Sequence, residues 1–295
     1  MFKHYAEYYD AIYSDKDYQK EILNLKKIFE KMNGKFHLGN LLELGCGTGG
    51  HALHLCPFYE NYTGVDLSGE MIEQFAMKLY PSHFAFQANR CGYTTRNTEF
   101  SVTENSNVMS IKDKNREVSF HILNLAKDSL ELNISTSFDT CISLFHVFSY
   151  MTNDNDVQNY LKNAARYLKK DGLFIFDYWN KTGVKHLGLE SRKKEFLISA
   201  GKIVREVTPL SKGRENQADI MIDVKVFDHQ GKMIETFLEK HPMRFFNEDE
   251  IEIFLSEAGF KIEMICGEDK IEGNVAPEES DWAGIVVARK ILCPL

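Results

Sequence analysis

One stretch constrains the fold more than any other: Leu41-Leu-Glu-Leu-Gly-Cys-Gly-Thr-Gly-Gly50, with its sequel Tyr62-Thr-Gly-Val-Asp66. An apolar run ends in an acid and breaks on clustered glycines, and a stretch that can be helical follows. About twenty residues further on, a second apolar run ends in an aspartate. This is the order strand, tight turn, helix, strand, with a carboxylate at the second strand's tip. It predicts a doubly wound sheet with a nucleoside-cofactor site at the turn.

The glycines alone leave two cofactors open. Gly45, Gly47 and Gly50 satisfy G-x-G-x-x-G, and Asp66 sits where a ribose-binding acid belongs. Glu43 argues against a dinucleotide. It lies two residues before the first glycine, and a pyrophosphate at the following helix N-terminus would be repelled by it. S-adenosylmethionine carries a sulfonium and an ammonium and no phosphate, so it would not be. A turn that merely packs a helix on a strand is the simplest alternative. The acid, the glycines and Asp66 falling together weigh against it.

Glu43-Leu-Gly-Cys-Gly-Thr-Gly49 followed by Gly64-Val-Asp-Leu-Ser-Gly-Glu-Met71 resembles the first two motifs of class I S-adenosylmethionine-dependent methyltransferases. The likeness continues through Phe138-Asp139 and Leu168-Lys-Lys-Asp-Gly172 and covers most of the chain except residues 81–116. It implies an α/β, Rossmann-like fold: a seven-stranded, mostly parallel sheet with an antiparallel last strand. The nearest branch is the deoxysugar N-methyltransferases. There a Tyr-Asp-x-x-Tyr…Asp-Tyr-x-x-Glu stretch, matched here by Tyr9–Tyr13 and Asp17–Glu21, covers the cofactor, and an inserted antiparallel sheet covers the substrate.

Bulk properties bound the partners. The chain has 295 residues and a net charge of −8, which disfavours a non-specific nucleic-acid surface. Six cysteines, at 46, 56, 91, 141, 266 and 293, show no C-x-x-C spacing and read as reduced thiols, as in cytoplasm. The N-terminus lacks the apolar core of a signal peptide, and no apolar run reaches the roughly 20 residues of a membrane span. A homodimer is compatible with this reading.

In chain order, residues 1–35 are expected to form a helical lid, helical from 5 to 32 and rich in tyrosine. Residues 36–180 and 247–295 form the methyltransferase domain. Residues 81–116, rich in Asn, Thr and Ser, are read as an insertion, a long loop with room for a short hairpin. Strands are expected at 118–124, 138–146 and 173–179. Three more, at 196–207, 218–227 and 233–246, with turns between them, make the antiparallel cap of residues 181–246. A helix at 248–258 and a terminal hairpin complete the chain.

The site roles follow. Glu43 and the backbone of Gly45, Cys46, Gly47, Thr48 and Gly49 are expected at the methionine end of the cofactor. Asp66 takes the ribose, Leu67 and Met71 the adenine face, and Asn124 and Leu125 the adenine edge. Most relatives in the resembled family carry an acid where this chain has Asn124. Leu144, Phe145 and His146 close the pocket beneath the sulfonium, and Tyr13 and Tyr18 cover it. Tyr13, His146 and Tyr150 are the catalytic candidates, and in the resembled branch a histidine stands where Tyr150 falls. Tyr150, Asp177, Trp179 and Arg244 are the substrate-binding candidates. No metal is expected, because His51 and His54 lack a carboxylate partner in sequence and read as surface residues. The expected activity is methylation of a nitrogen or oxygen on a small molecule. The alternatives are methylation of RNA or protein, a non-catalytic cofactor-binding protein, and, from the glycine match, a nicotinamide oxidoreductase.

Overall fold

In the computed structural model, the structure describes residues 5–79, 99–102, 108–112, 117–127, 137–211 and 213–291. Strand β1 (Gly39–Leu44) lies at the centre of the main sheet. It pairs in parallel with β2 (Tyr59–Asp66) on one side and β6 (Phe138–Ser143) on the other. Beyond β2 comes β5 (Glu117–Ile122), and beyond β6 comes β7 (Leu168–Trp179), both parallel. The chain thus leaves β1 in one direction and later returns to its other side. A crevice opens at the carboxyl ends where the order reverses.

The apolar runs that announced these strands are buried on both faces, as a parallel sheet requires. Leu41, Ile142, Ile175 and Val287 face helices α2 (Tyr18–Asn33), α3 (Gly50–Leu55) and α4 (Gly69–Leu79). Leu42, Leu44, Cys141 and Phe174 face α5 (Asp154–Tyr167) and α7 (Glu248–Glu257). Leu41 and Leu42 point to opposite sides because the strand period is two.

The antiparallel finish is present. β13 (Ala283–Lys290) runs antiparallel between β7 and β12 (Phe260–Gly267). The seven expected strands are present, and β3 (Glu99–Val102) and β4 (Val108–Lys112) form a hairpin that adds antiparallel to β5 and extends the sheet to nine. The short hairpin expected within 81–116 therefore extends the sheet's edge; the rest of that segment lies outside the described residues.

Two expectations are corrected. Residues 5–32 are two helices, α1 (Tyr5–Ile12) and α2, because Asp17 ends the intervening turn and caps α2 by accepting from the Lys20 N–H at 2.9 Å. The cap has four strands, not three. The stretch 196–207 reverses near Ser199–Ala200, giving β8 (Arg192–Ile198) and β9 (Gly201–Ser211), followed by β10 (Gln217–Asp228) and β11 (Met233–Arg244). One face of this sheet carries Ile203, Ile220, Ile222, Val224 and Met243. It shares a core with Tyr5, Ala6 and Ile12 of α1 and with Met71. The lid is thus divided: α1 packs under the cap and α2 on the main sheet.

The cap leaves and rejoins the sheet at one joint. Phe246 N–H donates to Trp179 C=O at 3.0 Å, and Lys181 N–H donates to Phe246 C=O at 2.8 Å. Asn180, fully buried at the start of α6 (Lys181–Leu187), donates to the carbonyls of Glu278 and Asp281 at 2.9 and 3.0 Å. Among the described residues no helix is long and apolar enough to cross a membrane. Replacing Asn180 with Ala should strip both buried carbonyls of this donor and cost about 1–3 kcal/mol. Thermal unfolding of the variant checks this, as a Tm lowered by several degrees.

Candidate cofactor and acceptor site

A cavity of about 480 Å³ occupies the crevice and continues beneath the cap. Its lower half is built by the glycine turn. Gly45 and Gly49 both adopt left-handed φ, 76° and 79°; a Cβ on Gly45 would lie 2.5 Å from Val147, and one on Gly49 would lie 2.1 Å from the Phe75 ring. Only glycine permits both the backbone turn and these approaches. Gly45, Cys46, Gly47 and Thr48 line the cavity, whereas Gly49 sits behind them against Phe75. The turn is tied to β2, because Asp66 accepts the N–H of Gly47 at 2.8 Å and of Ser68 at 2.9 Å. Burial raises the Asp66 carboxyl above the usual range, and these two donors work against that.

Next to Asp66, Leu67 lines the cavity with its side chain 54% exposed. An uncovered apolar side chain between a carboxylate and Asn124 provides a face for a planar base. Asn124 and Leu125 complete this end, and the Asn124 Oδ1 also accepts the Ala126 N–H at 3.0 Å. Met71, Leu144, Phe145, His146, Tyr13 and Tyr18 also line the cavity. An anchored turn, a ribose-height carboxylate and an apolar face in sequence fit a nucleoside cofactor without phosphate. Among the described lining residues the only arginines, Arg192 and Arg205, belong to cap strands, and no lysine is among them.

Glu43 is not a wall of the cavity. It is 1% exposed, accepts from Tyr62 Oη at 2.6 Å, and lies 3.3 Å from His51 Nδ1. His51, expected at the surface, is instead buried, and its Nε2 meets Glu21 of α2 at 2.5 Å. Burial opposes a charge on His51, but the two flanking carboxylates win and raise it to about 9. Burial likewise pushes Glu21 up, but His51 and Lys16 prevail and hold it at about 2. The sequence spacing hid this cluster because Glu21 and Glu43 come from elements that meet only in the fold.

Asp177 also departs from expectation. It does not line this cavity. Its carboxylate accepts the N–H of Phe145 at 3.1 Å and of His146 at 2.7 Å. Those residues have φ of 68° and 64°, a left-handed pair without glycine that costs roughly 1–2 kcal/mol per residue. Asp177 therefore holds a strained loop at the end of β6 rather than a substrate. His146 Nδ1 lies 3.2 Å from the same carboxylate, which outweighs burial and raises its pKa. With Glu268 these two are the only His, Asp or Glu group at metal-ligand spacing among the described residues, and Asp177 is already engaged by the loop. Arg244 lies outside the cavity too, bonded to Asp154 at 2.7 Å and Glu250 at 3.0 Å. It braces β11 against α5 and α7.

The upper half of the cavity lies under the cap. Tyr150 and Trp179, both expected, line it. So do residues that no motif indicated, among them Tyr5, Arg205, Ile222 and His241. The alternation of β9–β11 could have flagged one face of each strand, but not which face turns inward. The lid is latched across both halves: Asp10 of α1 accepts from Thr48 Oγ at 2.7 Å and pairs with Lys78 at 2.5 Å, while Lys194 of the cap pairs with Asp15 at 2.6 Å.

The His51 cluster fixes a pH dependence. A raised folded pKa gives stability that is full below the ordinary histidine value of about 6.5 and is lost as pH rises through about 9. The wild-type Tm should decline between these limits, and His51→Gln should flatten that decline in a thermal-shift series.

Solved structures share this fold. A crystal structure of an S-adenosylmethionine-dependent methyltransferase from Clostridium acetobutylicum ATCC 824 superposes with a TM-score of 0.68 at 21% identity, covering 99% of each chain. The sugar N-methyltransferase KedS8 from Streptoalloteichus sp. ATCC 53650 gives 0.67 at 17% identity, over 96% of this chain and 93% of that one. GWCH70_2453 of Geobacillus sp. (strain WCH70), a protein named for methyl transfer, is 23% identical over 293 residues, 98% of this chain and 99% of the relative. A methyltransferase domain family matches residues 13–264. The glycine turn, the sheet order with its antiparallel finish and this match agree, and the chain belongs to the methyltransferase domain family.

Proposed function

We propose that the protein transfers a methyl group from S-adenosylmethionine to a nitrogen or oxygen of a small molecule, of which a nucleotide-linked sugar is the favoured kind. One observation carries the proposal. The cavity runs without interruption from the glycine turn and Asp66 to the underside of the cap, and α1 covers it. Its volume of about 480 Å³ suits ligands of modest size, within the roughly 300–1,000 Å³ of small-molecule sites. KedS8, a sugar N-methyltransferase by name, shares the fold over nearly all of the chain. Nucleic acid is not the expected partner, given the net charge of −8.

When bound, the cofactor supplies a methyl on a sulfonium, a group that needs no further activation to leave. The chain's residues have to align the acceptor and exclude water. Asp66 would hold the ribose hydroxyls, Leu67 the base, and the turn from Gly45 to Gly47 the amino-acid end. The Phe145–His146 loop, fixed by Asp177, would set the floor beneath the reacting carbon. Tyr13 and Tyr18 would close the near wall, and Ile222 with its apolar neighbours would form the acceptor's bed. The buried thiols of Cys46, Cys56, Cys141 and Cys266 accord with a reducing compartment such as the cytoplasm.

Calorimetry should detect binding of S-adenosylmethionine and of its demethylated product. Asp66→Ala should weaken it about 10- to 100-fold, through loss of hydrogen bonds to a charged group. A second test separates the compartments. Ile222→Trp should fill the acceptor half, leaving cofactor affinity within about twofold of wild type and abolishing turnover on a panel of amino and hydroxy sugar nucleotides. Label from the methyl donor appearing in bulk RNA or protein, with none in the panel, would replace the small-molecule reading with a macromolecular one.

A further inference from the structure

The cap delivers one side chain to the cavity that no motif announced. His241 of β11 is 4% exposed, and its Nδ1 lies 2.7 Å from Tyr150 Oη. Tyr150 closes the short helical turn Val147–Tyr150 that follows β6, at the carboxyl edge of the sheet. Its position is fixed from behind, because Ser149 Oγ accepts the Trp179 N–H at 2.9 Å. The Tyr5 ring stands 6.0 Å from His241, and Tyr5 Oη donates to Tyr13 Oη at 3.0 Å. All four side chains line the cavity, and the Tyr13 ring stands 5.1 Å from the Phe145 ring at the end of β6, which ties the cap side to the glycine-turn side. That junction is where an acceptor atom must meet a methyl group.

Burial pushes the His241 imidazole down to about 4 and the Tyr150 phenol well above its ordinary value. Both are uncharged near neutral pH, so a single proton sits between phenol oxygen and Nδ1. A phenol that donates to Nδ1 turns an oxygen lone pair toward the cavity. It can then accept from an acceptor's N–H or O–H.

We propose that Tyr150 and His241 form a proton relay for the acceptor, a role that rests on the methyl-transfer reading above. The acceptor's lone pair forms the new bond to the methyl carbon. The carbon–sulfur bond breaks, and its electron pair stays on sulfur as a neutral thioether. The acceptor's proton passes to Tyr150 Oη while Tyr150's own proton passes to His241 Nδ1. His241 ends as an imidazolium and returns its proton to water once the product leaves. The positive charge lost at sulfur reappears on the imidazole, so the cavity carries the same net charge before and after the step. This matters because creating a new charge on a buried group such as His241 is costly. His241 acts through Tyr150, and a merely structural bond would hold the Tyr150 rotamer without taking a proton.

Two measurements decide between these. Nitrogen NMR of histidine-labelled, unliganded protein at neutral pH should show His241 protonated on Nε2 with Nδ1 as acceptor, and Tyr150→Phe should shift the Nδ1 resonance. A proton on Nδ1 overturns the relay. His241→Asn keeps an acceptor oxygen near the Nδ1 position but cannot take a proton. On any sugar nucleotide of the panel that the wild type methylates, kcat should fall about 10²- to 10⁴-fold with KM nearly unchanged, and Tyr150→Phe should match it. Calorimetry with the demethylated cofactor should give wild-type affinity for both variants, showing that they fold. His241→Asn turning over at the wild-type rate overturns the relay. Absence of turnover by the wild type on every acceptor counts against the small-molecule reading instead, while the NMR result still decides the pair.

Discussion

The buried cluster Glu43–His51–Glu21 is the interaction on which the rest of the site depends. Glu43 lies beneath the glycine turn, His51 opens the helix after it, and Glu21 comes from a helix that belongs to the N-terminal lid. A carboxylate with 1% exposure would be prohibitive alone. The imidazolium shared with Glu21, and the Tyr62 hydroxyl, make it tolerable. The same bonds fix the turn against α2. Through Lys16, which pairs with Glu21 and lies 4.0 Å over the Phe145 ring, the cluster also reaches the loop at the end of β6. One charge network therefore ties the glycine turn to the loop at the end of β6.

Strain is located where the site needs it. Phe145 and His146 take up a left-handed backbone without glycine, and the buried Asp177 compensates by accepting both N–H groups. Such strain persists only where the surroundings over-determine it. The chain leaves the sheet for the cap and rejoins it at the joint of Asn180 and Phe246, and buried hydrogen bonds there help to aim the cap's inner face. That aim places His241 against Tyr150.

Much of this was legible in the sequence. The parallel core followed from apolar runs such as Leu41–Leu44 and Phe174–Phe176, each buried on both faces. The glycine turn and its anchor at Asp66 followed from local spacing, which fixes where a strand ends and a turn begins. Asn124, Leu125 and the 144–146 loop follow strand ends, and they line the cavity together with Met71 of α4. The misses share a cause. Glu43, Asp177 and Arg244 were read as ligand-binding because a charged residue near a site invites that reading, whereas each is consumed by a partner distant in sequence. His51 was read as exposed for the converse reason.

The sequence by itself determined the apolar strands, the glycine turn and the terminal hairpin, because strand and turn signals are local and their periods survive without neighbours, while the antiparallel close came with the family resemblance. Only the tertiary structure decided which charged groups face the cavity and which are spent holding it open. It also decided that a cap strand brings His241 to Tyr150. Both depend on pairings across 91 residues or on electrostatic partners from separate elements, and no local pattern encodes which of a strand's two faces will be turned inward.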